Sequence, residues 1–477
     1  MLKTRYRFTP QDELTGNFHY YNASAGMPGG LTKEQYQQNP FQSVRPFDQF
    51  AGRRQDMSFK YRHQEEDSQF EVLTYFTKSF RTSDIQTNGS GALEGQSRLA
   101  AAPRHYTTWA IEPTYSHLFR FWDMAHEVTL GYRYLNETSD EKGYRSNWYD
   151  PTTTTSAPNS KENYYQHTSG GTEANAFYID DAVNVGNWTI TPGLRYESIR
   201  THVNDAFADI AREKSYSEPL PSINVMYHLS DSWKLFANAN TSFGSLQYFQ
   251  LTRGGNHGQP APGLQPEKAR TYEVGTRYDD SLLKAELTAF YIDFDNQLQY
   301  INNTIGWTTL GATKHQGVEL ALNYDLSELT HSLDGVSLYS TYTYTRAVSV
   351  SGEFSGKDLP FYSRQVLTVG SRYATGNWVG NVDGYSQSRQ HSPGSSAAGN
   401  GYITQESDDG QYGNIAGYMV WNMRGEYDMG PSWSNLKLGA GVKNLFDQSY
   451  YTRSTDNNYG KYVGEPRTFF VQASLAF

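Results

Sequence analysis

The sequence predicts an all-β fold: a transmembrane antiparallel β-barrel of about nineteen strands, with long outer loops and short periplasmic turns. Three observations carry that reading. Short runs alternate between apolar and polar residues along the whole chain. The connections between those runs are alternately short and long. Hydrophobic content is only 37%, yet aromatic residues reach 15% with 38 tyrosines, which separates the chain from aromatic-poor disordered sequences.

The runs follow from the period of two that strand side chains obey. Val128, Leu130, Tyr132 and Tyr134 alternate with Glu127, Thr129, Gly131 and Arg133. Trp188, Ile190, Leu194 and Tyr196 alternate with Thr189, Thr191, Arg195 and Glu197. Ile223 to Leu229 and Val318 to Tyr324 repeat the pattern, and the last ten residues close on it, with Phe469, Val471, Ala473, Leu475 and Phe477 on one face. Lipid outside and a polar lumen inside demand such faces.

Tight polar turns fall near 9–13, 63–68, 123–125, 186, 230–232, 279–281, 375–377 and 430–434. Between them lie long connections at 23–53, 82–103, 139–172, 202–218, 244–266, 299–311, 351–360, 389–413 and 452–465. Only 327–335 is intermediate where a short turn is due. Loops sorted by side are what a barrel across a membrane requires, and a soluble sandwich has no reason to sort them. An odd strand count sets the first strand parallel to the last, so the two cannot close an antiparallel ring. Together with the absence of an apolar leader in Met1–Arg7, this leads us to expect a chain shortened at its start.

Composition excludes several function classes. No run of about 18 apolar residues exists, which removes a helical membrane bundle. Net charge is −10 without a lysine–arginine run, so nucleic acid is not an expected partner. Cysteine is absent, and with it disulfides, zinc–thiolate sites and thiol catalysis. No His-Glu-x-x-His metal motif and no Gly-x-Ser-x-Gly elbow occurs, so neither a protein-held metal nor an enzyme is expected. Asp456-Asn457-Asn458 and Asp408-Asp409-Gly410 lack the spacing of a calcium loop and read as solvated turns. Gly89-Ser90-Gly91 precedes no helix, so it is no phosphate cradle.

Several segments together resemble one family, the TonB-dependent outer-membrane receptors. They are Met27-Pro28-Gly29-Gly30-Leu31, the run from Leu264 through Pro266-Glu267 to Glu273-Val274-Gly275, the run Gly441 to Gln448 with Tyr450, Tyr451 and Arg453, and Gly464-Glu465-Pro466-Arg467 with the terminal Phe477. Within the family, Arg45-Pro46-Phe47-Asp48, Gly52-Arg53-Arg54, Gly131 to Glu137, Gly186 to Gly193 and Gly275 to Asp280 are similar to segments of the receptors for ferric citrate. The resemblance implies a twenty-two-stranded barrel with a plugged lumen in the bacterial outer membrane, surrounded by lipid and lipopolysaccharide. On that pattern residues 1–477 are the barrel domain, with three strands, the plug domain, its TonB box and the signal peptide absent.

The resemblance also implies a ligand: an anionic ferric citrate-like iron chelate, admitted through a plug moved by the TonB complex. No cofactor is implied, because the iron stays within its chelate. Arginine suits such a ligand, since its planar fork pairs carboxylates and keeps its charge. Arg81 and Arg104, which flank one outer loop, match family arginines that clamp citrate carboxylates. A third family arginine falls at Gln166, a glutamine falls at Asn302, and an asparagine is retained as Asn457. The lost charge at Gln166 leads to the expectation of a less anionic chelate or a different pose. A passive pore, or a surface-interaction barrel for an adhesin or phage, remains the alternative.

Overall fold

A computed structural model describes residues 1–475 except 88–92, 208, 253–263, 301–306, 328, 352–354, 393–406, 408–412, 434 and 455–459. Asn302, Asn457, Phe477 and the glycine-rich and aspartate-rich loop segments named above therefore lie outside the described residues.

One antiparallel sheet of twenty strands dominates the structure. Two of those strands, Arg98–Ala101 and Arg104–Phe121, lie end to end across Ala102-Pro103 and form a single stave. Nineteen staves result, as the alternation predicts. They are β1 (Leu2–Arg7), β2 (Asp12–Gly26), β3 (Gln49–Gln64), β4 (Ser68–Thr87), β5 (Arg98–Ala101 with Arg104–Phe121), β6 (Met124–Arg145), β7 (Asn163–Val185), β8 (Trp188–Asp205), β9 (Ile210–His228) and β10 (Trp233–Gly244). They continue as β11 (Glu267–Asp279), β12 (Leu283–Tyr300), β13 (Trp307–Asp325), β14 (Val336–Ser349), β15 (Gln365–Thr375), β16 (Trp378–Gln387), β17 (Tyr418–Asp428), β18 (Lys437–Lys443) and β19 (Thr468–Ser474). Each pairs antiparallel with its neighbours in sequence, and among the described residues no ladder joins β1 to β19.

The outward face is apolar and open. Phe76, Trp109, Leu130, Phe177, Leu194 and Leu287 are all about half exposed, as lipid-facing side chains of a bare barrel should be. Aromatic pairs such as Trp188–Tyr227 and Trp378–Tyr427 stand next to the periplasmic turns, where an interfacial girdle belongs. The inward face is polar and mutually paired. Glu13 receives Arg5, Arg7 and Arg62, Lys60 meets Glu71 at 3.0 Å, and Arg277 meets Glu286 at 2.7 Å.

One expectation fails. Residues 202–218 are not a long loop: β8 and β9 run on as a regular ladder until Asp205 faces Ile210. The reason lies in what each face meets. Within the membrane, Leu194 and Tyr196 point out to lipid while Arg195 and Glu197 point in. Higher up, Ile199 and Val203 point inward and are buried, while Arg200, His202 and Asn204 point out to water. The apolar side therefore changes faces, and a single period-two pattern read from the membrane section stops there.

A candidate ligand site at the outer mouth

β4 and β5 bring the two arginines together. Arg81 and Arg104 are register partners, both on the inward face near the outer end of the ladder. Arg104 in turn faces Glu141 of β6. Its Nε lies 3.8 Å from Glu141 Oε2, while the Tyr106 hydroxyl donates to Glu141 Oε1 at 2.7 Å. Glu141 is only 2% exposed, so this carboxylate is held by its cation and the phenol, away from bulk water. Arg81 differs. It is exposed and has no ion pair or hydrogen bond among the described residues.

Arg81, Tyr106 and Glu141 border a cavity of about 690 Å³, lined also by Arg133, Glu137, Glu197 and Tyr248, while Arg104 reaches it only through Glu141. Its charges are largely paired off. Glu197 accepts from Arg133 at 3.0 Å and from Arg195 at 2.6 Å. Glu137 accepts from Thr108 at 3.1 Å and from the Tyr248 hydroxyl at 3.0 Å.

The chain between β10 and β11 folds inward and closes one side of this cavity. Leu246, Tyr248, Leu251 and Leu264 pack on Val203 of β8, with Tyr106 and Leu298 beside them. A short helix, Tyr248–Thr252, carries the contact. The Tyr248 hydroxyl also reaches Thr172 at 3.0 Å, and burial pushes the phenol well above its ordinary range. Gly170 makes room for the ring: a Cβ there would stand 2.7 Å from it and 2.8 Å from the His202 carbonyl.

The remaining site expectations separate. Gln166 is buried on β7 beside Gly143, with its amide nitrogen 3.5 Å from Thr168 Oγ1, and it does not line the cavity. Asn302 and Asn457 are outside the described residues. Tyr106, Arg133, Glu137, Glu141, Glu197 and Tyr248 were not singled out from sequence as ligand-site residues. The five strand residues among them carry one available signal: each has the parity of the polar, inward face of its strand. Tyr248 carries none. Among the described residues no cluster of His, Asp and Glu has the makings of a metal site.

A family model, TonB dependent receptor-like β-barrel, matches residues 3–445. The chain belongs to the TonB-dependent receptor β-barrel family. A crystal structure of the ferric citrate transporter FecA in the unliganded form superposes with a TM-score of 0.87 at 40% identity, covering 99% of this chain and 69% of that one. The ferric-catecholate import receptor Fiu of E. coli K12 superposes at 0.74 with 16% identity, covering 97% of this chain and 72% of that one, which shows the shared fold. In sequence, the metal-pseudopaline receptor CntO of Pseudomonas aeruginosa is 26% identical over 317 residues, 64% of this chain and 41% of the relative. The catecholate siderophore receptor Fiu of Escherichia coli K12 is 22% identical over 397 residues, 74% of this chain and 49% of the relative. The chain thus spans less than half the length of these curated relatives. As a TonB-dependent receptor barrel, it is a protein of the bacterial outer membrane.

Proposed function

We propose that this chain is the barrel of an outer-membrane receptor for ferric citrate or a similar carboxylate-bearing iron chelate. The observation that carries the proposal is the state of Arg81: an exposed guanidinium on the cavity wall, free of ion pairs among the described residues and in register with Arg104. A guanidinium fork binds a carboxylate bidentately, and a half-enclosed mouth strengthens that bond over its value in water. The whole-chain likeness to a ferric citrate transporter supports the same ligand class. Passage of the chelate is driven by TonB through a plug, as the family membership supports, and the barrel performs no chemical step on its cargo.

Within this reading, Gln166 supplies no contact to the chelate, because it is buried beside Gly143 and outside the cavity. The test is uptake of radioactive iron as ferric citrate by cells that have this protein as their sole receptor. Uptake that depends on both the protein and TonB is expected. Uptake that persists without TonB would instead identify a passive pore.

A further inference from the structure

Above the mouth cavity two arginines stand side by side without an acid between them. Arg145 ends β6 four residues beyond Glu141 and on the same inward face, roughly 13 Å further up the wall. Its register partner across the ladder is Ala100 of β5, so Arg98, two residues away, is its diagonal neighbour on that face. Neither arginine borders the cavity that Arg81 lines.

Each guanidinium is backed by an aromatic ring. The central carbon of Arg98 lies 4.3 Å from the Trp148 ring centre, and that of Arg145 lies 3.7 Å from the Tyr165 ring centre. Two local devices place Tyr165. The register of β6 and β7 slips between Gly143, which faces Gln166, and Tyr144, which faces Tyr164, so Tyr165 is the extra residue of a bulge. Gly143 leaves the ring its space, since a Cβ there would stand 2.9 Å from it. A ring across the face of a guanidinium leaves the N–H edge free, and that edge is what a carboxylate takes bidentately.

Both arginines are half-buried, and neither has an ion pair among the described residues. The Arg98 Nε is buried with no hydrogen-bond partner there. Three acidic side chains of the flanking segments are engaged elsewhere: Asp150 accepts from Thr152 at 2.6 Å, Glu162 from Asn159 at 2.8 Å, and Asp84 from Ser160 at 3.0 Å. Burial, and then the neighbouring Arg145, push the Arg98 guanidinium below its ordinary value. Two like charges, oriented by stacking and lacking a counter-ion, have the electrostatics of an anion site.

We propose that Arg98 and Arg145 form a second binding site at the outer rim, for the carboxylates of a small organic polyacid such as iron-free citrate. Each fork takes one carboxylate, so a dianion neutralises the pair. The site stands on residues other than Arg81 and Arg104 and does not depend on the ligand assigned to them.

Binding of radioactive iron-free citrate to the purified protein in detergent is measured by equilibrium dialysis, with R81A in every sample to remove the contact at the cavity. Heat-modifiable migration on gels verifies that each variant is a folded barrel. R81A/R98Q/R145Q is expected to bind citrate about 100-fold more weakly than R81A, the combined effect of two charge-assisted contacts. Equal binding by the two overturns the site. A second comparison needs no further substitution: the trimethyl ester of citrate keeps the acid's backbone and loses its charges, so it should compete at least tenfold less well. Equal competition overturns carboxylate recognition. Inorganic phosphate that competes as well as citrate would overturn the carboxylate assignment in favour of a general oxyanion site. Ferric citrate that competes better than the free acid would overturn the assignment to the iron-free form.

Discussion

Arg81 and Arg104 are sequence neighbours of one loop and register partners, yet their replacement should have different consequences. Arg81→Ala removes an exposed cation without an ion pair among the described residues, so folding stability should stay within about 0.5 kcal/mol of the parent. A charge-assisted hydrogen bond to a ligand carboxylate is worth about 1.5–3 kcal/mol, so ferric citrate affinity should fall roughly 10- to 150-fold. Arg104→Ala instead strips the counter-ion from Glu141, a carboxylate only 2% exposed. Orphaning a buried charge costs about 3–5 kcal/mol, less whatever the Tyr106 hydroxyl and a shift toward the protonated form recover. That variant should therefore lose thermal stability as well as affinity. The assay is calorimetric titration of ferric citrate into each purified variant, paired with thermal unfolding. Unchanged affinity in Arg81→Ala would refute the site. A stability loss shared equally by both variants would refute the division of labour between them.

Three further outcomes are accessible. Burial pushes the Asp48 carboxyl up to about 6, while its oxygen accepts the Gln86 amide at 2.7 Å and Arg45 holds the Gln86 carbonyl. A raised folded-state value means the docked loop 27–48 is most stable below about pH 4 and loses at most about 3 kcal/mol as pH rises to 6 and beyond. Hydrogen exchange at Met27, whose amide bonds the Asp48 carbonyl, should speed up over that window after correction for intrinsic rates, and Asp48→Asn should abolish the dependence. Gly170→Ala places a methyl 2.7 Å from the Tyr248 ring and 2.8 Å from backbone, so the inward loop should detach and become sensitive to protease; continued protection would show that the loop has another anchor. Finally, ferric citrate affinity should change by no more than about threefold between low and physiological salt, because the mouth has little net charge to screen. A change of an order of magnitude would point to long-range steering instead.

Most of the barrel was legible because lipid imposes a strict rule on every second residue. Leu194 and Tyr196, or Val471 and Phe469, announce their face without reference to any partner. The rule lapses where the wall leaves the membrane. At Ile199 and Val203 the apolar side turns inward to meet a loop some fifty residues further along the chain, and nothing local signals that exchange. The site divides in the same way. Arg81 and Arg104 stood out beside a loop, whereas Tyr248 sits in an irregular segment whose docking depends on the absence of a side chain at Gly170. Gln166 shows the reverse limit: a position matched by resemblance is buried beside Gly143 and does not reach the cavity.

The charge pattern of the mouth bears on how a receptor of this build selects its ligand. Arg81 and Arg133 of the cavity wall, together with Arg104 and Arg195 paired to its carboxylates, stand against Glu137, Glu141 and Glu197, which leaves a single formal positive charge over the group. A wall designed only to attract anions would not set three carboxylates, two of them buried, beside its arginines. Each glutamate instead fixes donors: Glu141 holds Arg104 and Tyr106, Glu197 holds Arg133 and Arg195, and Glu137 holds Tyr248. Fixed donors lose little rotamer entropy when a ligand arrives and discriminate by geometry more than by total charge. Selectivity then rests on whether a chelate presents a carboxylate to Arg81 while its remaining oxygens meet donors already locked in place. Two chelates of equal charge and different shape should be told apart at this mouth more sharply than two of equal shape and different charge.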